Sequence, residues 1–191
     1  FQGAEAALHT WTPLLERLRA AVPGYRFELL ELNHDGMAQA VQDGRVQFVV
    51  TNPGHYVELE AAYGISRVLT RVGPSGVSPA RAIGSVVVAR RDREDLRELA
   101  DLAGQRMAIV SRQGFGGFQV VWRELLDVGL SPEDLGGLVE VGFPMDGVLR
   151  AVDDGRADVA VLRACLLEAM PGWPARYRVI GARSDPEFFC A

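Results

Sequence analysis

Lysine is absent: all 20 basic residues of the 191-residue chain are arginine. That excludes a P-loop lysine, a Schiff-base lysine and a kinase-type catalytic lysine. The three histidines, His9, His34 and His55, are scattered, and cysteine occurs only at 165 and 190. With no HExxH helix and no Cys/His cluster, no metal site and no cofactor is expected. No G-x-S-x-G elbow occurs. Acids that stand close together, Asp153 with Asp154 and Glu58 with Glu60, fall in helical stretches and read as solvated faces. With no nucleophile or base in view, the chain reads as a binder rather than an enzyme. Net charge is -5, which argues against nucleic acid as a partner. No run approaches the roughly 20 apolar residues of a membrane span, and no signal-peptide pattern is visible.

What is present is a packed-core composition, 48% hydrophobic, in a length that allows one large domain or two small lobes. The sequence is organised around an internal repeat. Residues 35–52, DGMAQAVQDGRVQFVVTN, and residues 146–163, DGVLRAVDDGRADVAVLR, align without a gap. Asp35, Gly36, Ala40, Val41, Asp43, Gly44, Arg45 and Val50 match Asp146, Gly147, Ala151, Val152, Asp154, Gly155, Arg156 and Val161. Each copy reads as a helix closed by glycine and followed by a β-branched strand. The spacing is too long for a solenoid, so the repeat suggests one αβ unit used once in each of two lobes. Helix C-caps favour glycine on their own, which leaves chance similarity open.

In chain order, residues 4–21 carry an apolar stripe of Leu8, Trp11, Leu14, Leu15 and Leu18 and predict a helix. Strands are expected at 25–32, 46–51, 65–72, 83–91, 106–111, 138–141, 158–162 and 177–180. Further helices are expected at 57–63, 93–99, 118–128 and 164–170, besides those of the repeat, and Asn33 should cap the first repeat helix. Alternating strands and helices predict an α/β fold with mainly parallel sheets. Ligands of open α/β sheets lie beyond the carboxyl ends of strands. Those ends are residues 52–56, 111–117, 142–146 and Arg163.

Candidate binding residues sit there. Asn52, His55 and Tyr56 belong to a strand–turn–helix where free amides and a helix dipole favour an anion, although Asn-Pro-Gly is also plain turn chemistry. Ser111, Gly114, Phe115 and Gly116 form a similar Gly-rich turn, which lets a ligand approach the backbone or merely connects two elements. Gly-x-Gly-Gly alone is no dinucleotide fingerprint. Arg163 could clamp an oxyanion or make a surface ion pair. Phe143 could wall a pocket or belong to the core.

The residues VVTNPGHYVELEAAYG, the strand–loop–helix around Ser111, GFPMDGVLRAVDDGRADVAVLRACLLEAM and the FFC tail carry a resemblance. The chain resembles PhnD-like type II periplasmic binding proteins. More closely, it resembles the periplasmic sensor domain of tetrathionate-sensor-type histidine kinases. The resemblance implies a two-lobed type II periplasmic-binding-protein-like α/β fold with a central ligand cleft. Residues 1–88 and 175–191 would form lobe 1, and 89–174 lobe 2. It implies an extracytoplasmic ligand-sensing domain of a membrane sensor histidine kinase, periplasmic and tied to the membrane through flanking segments. A possible homodimer would bind a small anion, a sulfur oxyanion or phosphonate-like. The alternative is a free periplasmic solute-binding protein of a phosphonate or oxyanion ABC importer. Three departures stand out. The family's opening strand before the first helix is missing or cut off. The Ser/Thr-rich turn of phosphonate binders keeps only Ser111, with Gly114, Gly116 and Gly117 in place of the hydroxyls. The family's His-bearing turn before the second αβ unit is Phe143-Pro144-Met145. In an exported domain, Cys165 and Cys190 most simply form a disulfide, with two free thiols as the alternative.

Overall fold

The computed structural model describes residues 4–70, 84–164 and 166–181. The expected disulfide between Cys165 and Cys190 lies outside the described residues. By packing, the chain divides into Phe1–Val50 and Thr51–Ala191.

The first unit holds two helices. α1 covers Ala4–Ala21, as its apolar spacing predicts. Trp11, Leu15 and Leu18 are half-buried while Leu8 and Leu14 stay exposed. α2 covers His34–Gln42, and the Asn33 side chain accepts from the Gly36 amide at 2.8 Å. That bond satisfies one of the helix's orphan donors.

The second unit is built on one five-stranded sheet. Its strands are β1 (Ser85–Arg90), β2 (Arg106–Ile109), β3 (Gly137–Glu140), β4 (Val159–Arg163) and β5 (Tyr177–Ile180). Their spatial order is β3-β2-β4-β1-β5. β2 runs parallel to β3 and β4, whereas β1 runs antiparallel to both β4 and β5. The sheet is therefore mixed rather than mainly parallel. Alternate residues of each strand enter two separate cores. Val86, Val88, Ala108, Val110, Ala160 and Leu162 pack under Val148, Leu149 and Val152 of α5 (Gly147–Asp153). Val87, Ala89, Met107, Ile109, Val159 and Val161 pack under Phe118, Val121 and Leu125, the last two on α4 (Val120–Asp127). Burial on both faces explains why these strands read as unbroken apolar runs. The remaining helices are α3 (Pro53–Tyr63) and the short α6 (Trp173–Arg176).

The repeat is visible bond for bond at its helix C-caps. In α2 the amides of Asp43, Gly44 and Arg45 donate to Gln39, Val41 and Ala40. In α5 the amides of Asp154, Gly155 and Arg156 donate to Arg150, Val152 and Ala151. Gly44 and Gly155 both take the left-handed conformation that closes such a cap, with φ 65° and 70°. Beyond the caps the copies diverge. Val159 and Val161 are fully buried in β4, whereas their counterparts Phe48 and Val50 are 75% and 59% exposed.

That divergence corrects three expectations. Residues 25–32, 46–51 and the described part of 65–72 form no strand. A strand exists only through its ladder partners. β4 has β2 on one side and β1 on the other, and no such neighbour pairs with these runs among the described residues. Two expected helices are also absent. Residues 93–99 form turns, in which the Arg93 guanidinium holds Asp95 two positions on, and a 3₁₀ turn follows at Leu99–Leu102. The described residues of 164–170 form turns as well. Among the described residues, no helix is long and apolar enough to cross a membrane.

Candidate functional site

The site is assembled at one end of the sheet. β2, β3 and β4 run parallel and finish there, and β1 starts there, with Ser85 opposite Arg163. Period-two alternation carries the direction of the side chains. Ile109, Val161 and Val87 face the α4 side, so Ser111, Arg163 and Ser85, two positions along, lie toward that side too.

What they meet there is a Gly-rich turn. Residues 112–114 leave β2, and Phe115–Gln119 make a π-turn that runs straight into α4. Gly114, Gly116 and Gly117 are buried. Their lack of side chains is used at close range: a methyl on Gly114 would stand 3.1 Å from the Ser111 carbonyl. The Gly114 amide donates to that carbonyl at 3.1 Å, and the Gln119 amide donates to Gly114 at 3.1 Å. The Ser85 hydroxyl donates to the Gly116 carbonyl at 2.8 Å. The first amides of such a helical segment have no partner within it, and its dipole favours negative charge at this end. A π-turn inside a helix is itself uncommon and frequent at functional sites.

Arg163 is half-buried, and among the described residues its side chain makes no ion pair. Its amide donates to the Met145 sulfur at 3.4 Å, which ties the end of β4 to the turn before α5. That turn contains a cis Phe143–Pro144 bond, and Phe143 is exposed.

The residues around Asn52 approach the same turn from α3. The Asn52 side chain caps α3 by accepting from the His55 amide at 3.0 Å. His55 is buried, its Nδ1 2.8 Å from the Thr51 hydroxyl. The Tyr56 hydroxyl donates to Glu60, and this bond to a carboxylate raises the phenol pKa. Gly54 is where the two turns touch: a methyl there would overlap the Gln119 side-chain carboxamide, whose Nε2 donates to the Arg112 carbonyl at 3.3 Å. By the repeat, Asn52 and Arg163 occupy the same position of the αβ unit.

The structure thus brings Ser111, Gly114, Phe115, Gly116 and Arg163 together, with the turn bearing Asn52, His55 and Tyr56 beside them. His55 faces inward, and the Asn52 oxygen is occupied by its cap. Sequence reasoning missed Ser85, Gln119 and Thr51. Ser85 opens the strand expected at 83–91, but nothing local marks it as lying at the site; only its register with Arg163 reveals that. Gln119 was detectable only as the fifth residue of a turn whose π geometry the glycines permit. No group of three or more His, Cys, Asp or Glu that could hold a metal occurs among the described residues.

A family model for the periplasmic phosphonate substrate-binding proteins of ABC transporters matches residues 1–186. The tetrathionate sensor histidine kinase TtrS of Salmonella typhimurium is 32% identical over 170 residues, which is 88% of this chain and 28% of the kinase. PhnD1 of Prochlorococcus marinus, solved in complex with methylphosphonate, superposes with a TM-score of 0.74 at 14% identity, covering 94% of this chain and 68% of that one. XAC2383 of Xanthomonas citri, solved bound to chloride ion, gives 0.69 at 22% identity, covering 94% of this chain and 70% of that one. These likenesses show the type II periplasmic-binding-protein fold. The chain belongs to the family of periplasmic phosphonate substrate-binding proteins of ABC transporters.

Proposed function

We propose that this chain is the extracytoplasmic ligand-sensing domain of a membrane sensor histidine kinase and that it binds a small anion at the carboxyl ends of β2 and β4. The kinase reading rests on the 32% identity to TtrS over 88% of the chain. The anion reading rests on one observation: Ser111, Ser85 and Arg163 converge on a Gly-rich helical start, in a chain without lysine. A helix terminus contributes about 0.3–1 kcal/mol toward an anion, more when partly buried. A charge-assisted bond from Arg163 adds about 1.5–3 kcal/mol. Sulfur oxyanions and phosphonate-like anions are the ligand class. The matching family supports a second reading, a free solute-binding protein of an oxyanion importer.

In this proposal the chain has two lobes. The strand pairing supports boundaries just before Ser85 and just after Ile180, a few residues from the 88 and 175 expected from sequence. A ligand favours one arrangement of two lobes only if it binds that arrangement more tightly. The functional test is a thermal-shift screen of sulfur oxyanions, phosphonates, phosphate and carboxylates. A ligand that binds only the folded chain raises its unfolding midpoint. A midpoint unmoved by every oxyanion would contradict the anion reading. Whether the gene continues into a transmembrane helix and a kinase separates the two readings.

A further inference from the structure

A second cluster of arginines lies at the opposite end of β1, six strand positions or about 20 Å from Ser85 at ordinary strand rise. There, a cleft of about 550 Å³ is lined by Arg91, Glu94, Arg97, Trp173, Tyr177 and Arg178. Its charge balance is unusual for an acidic chain. The other arginines at this end already hold carboxylates: Arg90 pairs with Asp92, Arg93 with Asp95, Arg106 with Asp158 and Arg176 with Asp153. Among the described residues, Arg91, Arg97 and Arg178 make no ion pair. The lining itself therefore holds three guanidiniums and one carboxylate, that of Glu94, with Asp101 in the field of Arg97 and Asp95 in that of Arg178 just outside it.

Two of the three are already held in place by backbone. Arg97 Nε donates to the Glu94 carbonyl at 3.0 Å, and Arg178 Nη1 donates to the Arg93 carbonyl at 3.1 Å. The Arg178 Nε–H is buried without a partner. A guanidinium fixed by one bond loses less freedom when a ligand takes its remaining donors. Trp173 supplies a half-buried wall beside them.

We propose that this cleft is a second anion site, separate from the one at Arg163, and that it takes a small multiply charged phosphate-type anion. The guanidinium fork matches the oxygen pairs of such an anion, and an excess of positive charge in the cleft suits more than one negative charge.

The test is a titration of the ¹⁵N-labelled chain with inorganic pyrophosphate, with sodium chloride at matched ionic strength as the control. The Trp173 indole and the amides of residues 91–97 and 177–179 should shift saturably with pyrophosphate and not with chloride. Replacing the two exposed arginines, R91Q with R97Q, should weaken binding roughly tenfold, the loss of about one charge-assisted bond. R163A should leave these shifts as they are. Cleft resonances that stay still, or shifts that persist in R91Q/R97Q, would overturn the proposal. Shifts abolished by R163A would also overturn it, by assigning the effect to the first site. The amide spectrum of each variant reports whether it is folded.

Discussion

Val50 and Val161 are the same residue at the same position of the two repeat copies, so their alanine variants isolate burial from chemistry. Val161 is fully buried between β2 and β1, under α4, whereas Val50 is 59% exposed. Val→Ala removes two carbons from the side chain. At about 0.8 kcal/mol per buried carbon the transfer part is about 1.6 kcal/mol. The cavity left in a two-sided core raises this to about 2–3 kcal/mol for V161A. For V50A the expected effect is within about 0.5 kcal/mol, as at ordinary surface positions. Urea unfolding followed by far-UV circular dichroism measures both, with the slope checked for constancy between variants. If V50A destabilises as much as V161A, residues 48–52 are packed as β4 is, and the divergence between the copies is wrong.

Further outcomes follow from particular bonds. Asn52→Ala removes the α3 cap and should destabilise by about 0.5–2 kcal/mol in the same assay. The Asp158 carboxyl is held below its ordinary 3.8, chiefly by hydrogen bonding to Arg106. Its contribution is therefore complete above the unfolded value and lost as pH falls below about 4. D158N should cost about 1 kcal/mol at pH 7, moderated by the half-exposed Arg106, and should flatten the acid limb of the stability curve. Tyr177 is pushed up to about 12, first by burial and then by its hydrogen bond to Asp153. The folded chain holds that proton more tightly, so stability should decline as pH rises from about 10 toward 12. Y177F should show a smaller alkaline decline in a denaturation series across this range, the remainder coming from groups such as Tyr56. Gly117→Ala should be tolerated, because the added methyl meets Met145 and Val110 at 3.5 and 3.6 Å, ordinary contact distances; a midpoint drop like that of V161A would refute this.

Legibility followed how local each determinant was. α1 and the caps of α2 and α5 were readable because apolar spacing, Asn33, Gly44 and Gly155 act within a few residues. β1, β2 and β4 were readable because burial on both faces leaves an almost unbroken apolar run. Residues 25–32, 46–51 and 65–70 are also largely apolar, yet pairing is decided by a neighbouring strand that composition does not name. The helix expected at 93–99 lost to turns stabilised by Arg93 with Asp95. At the candidate site, Ser111, the glycines and Arg163 were proposed from strand ends, and the structure places them beside one another. Ser85 depends on register across 78 residues of chain from Arg163, and the inward turn of His55 depends on Thr51; neither leaves a local mark.

The central claim is that the anion is held by the Gly-rich turn and Arg163. For whichever oxyanion raises the unfolding midpoint most, isothermal titration of the wild-type chain, R163A and S111A measures it directly. The account predicts at least a tenfold loss of affinity for R163A, from a charge-assisted bond of about 1.5–3 kcal/mol, and a smaller loss for S111A. If both variants keep the dissociation constant within about twofold, less than about 0.5 kcal/mol, the anion is bound somewhere else.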